Sequence, residues 1–199
     1  MPLDEINRHT IILASGSPRR RQLLEDLGLR FEVVNHDWDE DFPDDLKGAE
    51  IALYLAAKKA ETLGGQLREG VIIITADTIV WCGNRVLDKP SDENEAMDII
   101  RRISGNTHEV ITGVCLLSSR GLRSFYSSTK VTFEELTEAE IEYYVRNFKP
   151  FDKAGAYGIQ EWIGLAACSR IEGSYFNVMG LPVEKVYHEL LSLVRSEGR

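Results

Sequence analysis

The run Val71-Ile72-Ile73-Ile74 constrains the fold more than any other segment, because it is apolar without alternation. A strand with one wet face alternates apolar and polar residues; a strand covered on both faces does not. This run therefore predicts a buried strand inside an α/β architecture. It extends toward Val80 but is interrupted by Asp77, far short of the ~20 apolar residues that span a bilayer. With 199 residues, the chain is long enough to hide roughly 70% of its unfolded surface.

The flanking segments supply the covering elements. Ile11–Ala14 reads as a second buried strand, and after Ser15-Gly16-Ser17-Pro18 the leucines 23, 24 and 27 recur at helical spacing. Ser17 is a good N-cap, Pro18 suits the first helical turn, and Gly28 is a C-terminal stop. A strand over Phe31–Val34, an acidic loop from His36 to Asp41 and a helix over Ala49–Leu63 follow. Gly83-Asn84 predicts the tip of a hairpin joining Ile79–Trp81 to Arg85–Leu87. A helix from Ser91-Asp92-Glu93 to Gly105 precedes strands over Val110–Leu117 and Ser124–Phe133. Thr137 and Glu140 form a capping box for a helix to about Phe148. A Gly-rich stretch, a hairpin and a helix opened by Pro182 complete the expectation. No repeat or linker interrupts the chain, so residues 1–199 read as one α/β domain with a mixed, twisted sheet.

Charge narrows the partners. A net charge of −9 argues against nucleic-acid polymers, whose binding depends on many Lys and Arg contacts to phosphate. A local basic cluster can still hold a small anion, because screening acts over ~8 Å. At 43% hydrophobic and 28% charged residues, neither disorder nor a membrane-embedded chain is indicated. The start, MPLDEINRHT, lacks the basic-then-apolar order of a signal peptide, and Cys82, Cys115 and Cys168 lie far apart. A reducing, cytoplasmic setting is the expectation. The four histidines show no ligand spacing, which argues against zinc.

Three segments could carry chemistry. The first is Ser15–Arg21, at a strand-to-helix junction. A helix N-terminus attracts anions, and arginines placed there oppose the helix dipole unless an anion compensates them. Their planar forks suit phosphate oxygens; the plain alternative is a capped helix with solvated arginines. The second is Asp77-Thr78, read as lying just beyond the buried strand. A carboxylate there is costly unless it is paired, metal-bound or at a cleft; the alternative is an Asp that turns the chain into the hairpin. Glu40 in the acidic loop is a candidate second oxygen ligand, and Lys59 and Lys89 are candidate phosphate partners. Oxygen donors of this kind favour Mg²⁺ or Mn²⁺. The third is Asp152–Gln160, where glycines allow close backbone approach and Gln160 offers both a donor and an acceptor to a uracil-type base edge.

Taken together, LASGSPRR, ADTIV, LDKP, SGNTHEVITGV, FDKAGAYGIQ and IEGSYFNVMGLP resemble the Maf family of nucleoside triphosphate pyrophosphatases over nearly the whole chain. The resemblance implies an elongated, two-lobed α/β fold with a central cleft, similar to the inosine triphosphate pyrophosphatases. It implies hydrolysis of a nucleoside triphosphate to monophosphate and pyrophosphate with a divalent cation. By position it makes Asp77 and Lys89 catalytic and gives Glu40 and Asp77 to the metal. Ser15, Ser17, Arg19, Arg20, Lys59, Thr78 and Gln160 fall to the substrate, with Arg19, Thr78 and Gln160 linked to substrate choice. GAYGIQ followed by GSYFNVMGLP looks like the branch acting on dTTP and UTP, although Glu161-Trp162 departs from its usual glycine after the glutamine. A preference for modified or purine nucleotides, and a nucleotide-binding regulator of division with weak catalysis, are the alternatives. The family also allows a homodimer.

Overall fold

The computed structural model describes residues 1–35, 38 and 40–197. Of the acidic loop expected after Val34, His36, Asp37 and Asp39 lie outside the described residues, as do Gly198 and Arg199. The strands are β1 (Thr10–Ala14), β2 (Phe31–Val34), β3 (Val71–Cys82), β4 (Arg85–Leu87), β5 (Thr107–Ser118), β6 (Gly121–Phe133) and β7 (Cys168–Glu172). They form one seven-stranded sheet in the order β2-β1-β3-β5-β6-β7, with β4 also paired to β3. β1 runs parallel to β2 and β3, and the remaining pairs are antiparallel, so the sheet is mixed as expected.

The helices are α1 (Pro2–Ile6), α2 (Pro18–Asp26), α3 (Ala49–Glu61), α4 (Glu93–Ile103), α5 (Glu138–Phe148), α6 (Trp162–Ala166), α7 (Tyr175–Met179) and α8 (Val183–Glu197). Ser17 caps α2, and Thr137 with Glu140 closes the capping box of α5, as their local chemistry predicts. The segment after the Gly-rich stretch is not a hairpin. It is α6, the single strand β7 against β6, and α7, whose N-cap is Ser174. The open edge of the long strand β6 takes up β7, which needs no second strand beside it.

The most consequential difference concerns β3. Asp77 lies neither at a strand end nor in a turn, because Val71–Cys82 is one continuous strand. β5 pairs with it without interruption from Ile73↔Leu117 to Trp81↔Glu109, which places Asp77 opposite Gly113 in mid-ladder. The other edge of β3 is divided between two partners. β1 pairs as far as Ala14↔Thr75, and β4 begins at Val80↔Leu87. Residues 76–79 fall in the gap between them.

Side chains alternate across the sheet, so Asp77 and Thr78 point to opposite faces. On the Thr78 side, Ile72, Ile74 and Ala76 join the main core with residues of α2, α4, α5 and α8. On the Asp77 side lies α3, and it lies close. Its Ala52, Ala56 and Ala60 are fully buried, and Thr75 Oγ1 donates to the Ala56 carbonyl at 2.7 Å. Gly113 permits this approach: a Cβ there would stand 2.3 Å from the Ala52 carbonyl oxygen.

A buried histidine sits on the Thr78 side of the sheet, packed against Phe133 and Tyr157. His108 is 1% exposed, and its Nε2 is 2.7 Å from the Tyr157 hydroxyl. Among the described residues its Nδ1 has no hydrogen-bond partner. Burial lowers its pKa from 6.5 to about 4, so the folded protein keeps this ring neutral where the unfolded chain would protonate it. The stability this residue contributes is intact above pH 6.5 and declines as pH falls toward about 4. The expected loss is about 3 kcal/mol. Urea unfolding of wild type and His108→Gln from pH 7 to 4 checks this: the variant should show the shallower decline, and equal slopes would count against the assignment.

Candidate active site

A cleft of about 840 Å³ opens at the gap in the β3 edge. Every site residue singled out in the sequence lines it: Ser15, Ser17, Arg19, Arg20, Glu40, Lys59, Asp77, Thr78, Lys89 and Gln160. They come from six parts of the chain that the fold brings together.

One wall is ionic. Because α3 sits so near the sheet, Lys59 in its last turn reaches across to β3, where its Nζ donates to Asp77 Oδ1. The two residues are 5% and 6% exposed, so this is a buried pair. Glu40 Oε1 stands 3.6 Å from the same ammonium, and Lys89 Nζ reaches both Glu40 oxygens at 2.7 and 2.6 Å. Asp77, Lys59, Glu40 and Lys89 thus form a continuous chain of alternating charge. Partial burial pushes the Glu40 carboxyl upward, but the hydrogen bond and charge of Lys89, joined by Lys59, outweigh it and hold Glu40 below its usual value. Asp88, which also lines the cleft and escaped the sequence reading, is pushed up, first by burial and then by the negative charge of Glu40 and Glu95.

The opposite wall is the turn from β1 into α2. Here the structure changes the reading of the arginines. Arg20 does not rely on a bound anion to offset the helix dipole. Its Nε donates to the Gly180 carbonyl at 2.8 Å, Nη1 to the Ala76 carbonyl at 2.8 Å and to Ser15 Oγ at 3.3 Å, and Nη2 to Thr78 Oγ1 at 2.9 Å. Ala76 lies in the stretch of β3 without a strand on that edge, so the guanidinium satisfies a carbonyl that the ladder leaves over. Arg21 turns to Glu25 at 2.8 Å. Arg19 is the arginine least committed to the protein, with one 3.4 Å contact to Asp152 and a side chain 30% exposed. Thr78 Oγ1 also meets Thr112 Oγ1 at 2.9 Å, so it is part of the Arg20 brace as well as of the cleft lining.

The third wall is the Asp152–Gln160 segment, with Gln160 exposed at the cleft. Lys153, Tyr157 and Gly158 line it too, and the sequence pattern of glycines around an aromatic was their only signal.

The donor set suits a hard divalent cation. Among the described residues no three His, Cys, Asp or Glu side chains gather into a metal cage. Asp77 and Glu40 instead converge on one ammonium, which marks a position where two carboxylates already hold a cation. Mg²⁺ is characteristically bound by one or two carboxylates together with substrate phosphates and water, so the pair fits such an ion.

A protein of Flavobacterium johnsoniae named dTTP/UTP pyrophosphatase is 49% identical over 191 residues, covering 96% of this chain and 98% of its own. One of the same name from Phocaeicola vulgatus is 50% identical over 192 residues, covering 96% of this chain and all of its own. Among solved structures, the nucleoside-triphosphatase / dITP/XTP pyrophosphatase of Mycobacterium abscessus superposes with a TM-score of 0.42 at 14% identity, covering 94% of this chain and 96% of that one. The family model described as Maf-like protein matches residues 10–193, a span that includes every residue of the cleft. This chain belongs to the Maf-like protein family.

Proposed function

We propose that this chain hydrolyses dTTP and UTP to the nucleoside monophosphate and pyrophosphate. The observation that carries the reading is the Asp77–Lys59–Glu40–Lys89 chain facing the β1–α2 turn across one cleft. Relatives near 50% identity that bear the name dTTP/UTP pyrophosphatase support the choice of substrate.

In this reading the triphosphate lies between the two walls, with Arg19 and Lys89 on its oxygens and the α2 N-terminus adding positive potential. Water attacks the α-phosphorus and its proton passes to the Asp77 carboxylate. The bond from that phosphorus to the bridging oxygen breaks, and pyrophosphate leaves. Lys59 holds Asp77 in place through one oxygen, and Lys89 offsets charge on the leaving group. Asp77 and Glu40 would hold Mg²⁺ or Mn²⁺, which when bound supplies phosphate charge neutralisation and a more acidic water. Gln160 presents an amide to the donor–acceptor edge of thymine or uracil.

No helix among the described residues is long and apolar enough to cross a membrane. We take residues 1–199 as one catalytic unit that works in the cytoplasm, needs neither a nucleic-acid polymer nor a membrane, and can pair as a homodimer.

The test is pyrophosphate release from dTTP, UTP, CTP, GTP, ITP and 7-methyl-GTP, with Mg²⁺ and then Mn²⁺. Faster release from dTTP and UTP than from the others is expected. A purine preference would keep the reaction and overturn the role of Gln160; binding without turnover would favour a nucleotide-sensing regulator.

A further inference from the structure

Behind the Gly158–Gln160 wall begins a polar network whose first members, Tyr144 and Glu161, the reaction does not use. Tyr144, fully buried on α5, accepts the Gly158 N–H at 3.0 Å and donates its hydroxyl proton to Glu161 Oε2. Glu161 Oε1 stands 3.2 Å from Lys153 Nζ, which also donates to Asp152 Oδ1 at 2.7 Å. Asp152 Oδ2 in turn lies 3.4 Å from Arg19 Nη1. The chain Tyr144–Glu161–Lys153–Asp152–Arg19 therefore connects the back of one cleft wall to the front of the other.

Glu161 is its centre. Its carboxylate lies against the Cα of Gly158: a Cβ there would be 2.8 Å from Glu161 Cδ and 3.0 and 3.1 Å from its oxygens. Any larger residue there would push the Glu161 side chain aside. The carboxylate thus grips Gly158 twice, by packing on its Cα and, through the Tyr144 hydroxyl, by its N–H. Gln160 is the residue immediately before Glu161 in the chain, and it lines the cleft while neither Glu161 nor Tyr144 does.

We infer that Glu161 is a positioning residue for nucleotide binding: it sets where Gln160 stands and, through Lys153 and Asp152, how Arg19 is aimed. This rests on the reading of the cleft as a pyrimidine nucleotide site. Its loss should weaken binding and base discrimination while the hydrolytic step, across the cleft at Asp77, is little changed.

In Glu161→Ala the KM for dTTP should rise about tenfold, with kcat falling less than about threefold. The dTTP-to-CTP preference should shrink with it. Glu161→Gln keeps an acceptor for the Tyr144 hydroxyl and should recover part of the lost affinity. Tyr144→Phe should raise KM in the same direction, and combining it with Glu161→Ala should add less than the sum of the two, because both act through Gly158. A purely structural role would instead lower Tm and leave KM and the base ratio of the folded fraction unchanged, which would overturn the inference. Calorimetric binding of dTMP separates this from the fate of the enzymatic reading. Wild type that binds dTMP but releases no pyrophosphate refutes the reaction; weakened dTMP binding by Glu161→Ala still upholds the brace, and unchanged dTMP binding refutes it.

Discussion

Asp77→Asn should lower kcat/KM for dTTP by about 10³-fold, the range expected when a positioned proton acceptor is lost. The same substitution should also destabilise the ligand-free protein by about 3 kcal/mol, because it removes one partner of a buried ion pair. Lys59 is 5% exposed, and after the change its nearest remaining carboxylate is Glu40 at 3.6 Å. The two effects can be separated. Asp77→Asn combined with Lys59→Met removes both charges of the pair, so urea unfolding should show much of the stability restored while pyrophosphate release stays at the level of the single mutant or below. A folded Asp77→Asn protein with wild-type turnover would remove Asp77 from the reaction. A single mutant as stable as wild type would show instead that the pair contributes nothing to the fold.

The second large effect is expected at a residue that never touches substrate. In Gly113→Ala the new Cβ would lie 2.3 Å from the Ala52 carbonyl oxygen, 2.4 Å from its carbon and 2.7 Å from the Leu53 nitrogen. All three are main-chain atoms of α3, so no side chain can swing aside and the helix itself must retreat. Overpacking of this kind costs about 3 kcal/mol, the upper part of its usual range. Retreat of α3 also draws Lys59 away from Asp77, which lies opposite Gly113 in the ladder, so turnover should fall together with stability. Gly65→Ala is the control, since a Cβ at Gly65 meets nothing within 4 Å. Equal stability of the two variants would show that the sheet yields more readily than the packing indicates.

What could be read from the sequence was local. Ser17 with Pro18 and Thr137 with Glu140 act within one helical turn, and both ends formed as read. The cleft residues could be gathered because their segments resemble those of the Maf family, a likeness visible before any geometry is known. The place of Asp77 in mid-strand could not be read, because it depends on pairing with β5, whose Gly113 is the facing residue. The bracing of Arg20 could not be read for the same reason: its acceptor at Gly180 is 160 residues away, so the helix dipole was the only local clue. Glu161 stood out only as a departure from a pattern; its link to Tyr144 exists once α5 is docked. The short α1 carries too few residues for any periodicity to register.

The divided edge of β3 has a consequence for assembly. β4 follows β3 after only Gly83 and Asn84, a tight hairpin of the kind that closes within microseconds. β1 must instead be brought to β3 across α2, β2 and α3, a distant parallel pairing that closes slowly. The cleft lies between these two partners, so it lacks the β1–α2 wall until β1 has paired. A half-assembled sheet can already hold Asp77 opposite Gly113, yet it has no Arg20 at Ala76 and no β1–α2 turn. Nucleotide can therefore recognise only the completed chain, and by mass action its presence stabilises the native state over any form in which β1 is unpaired.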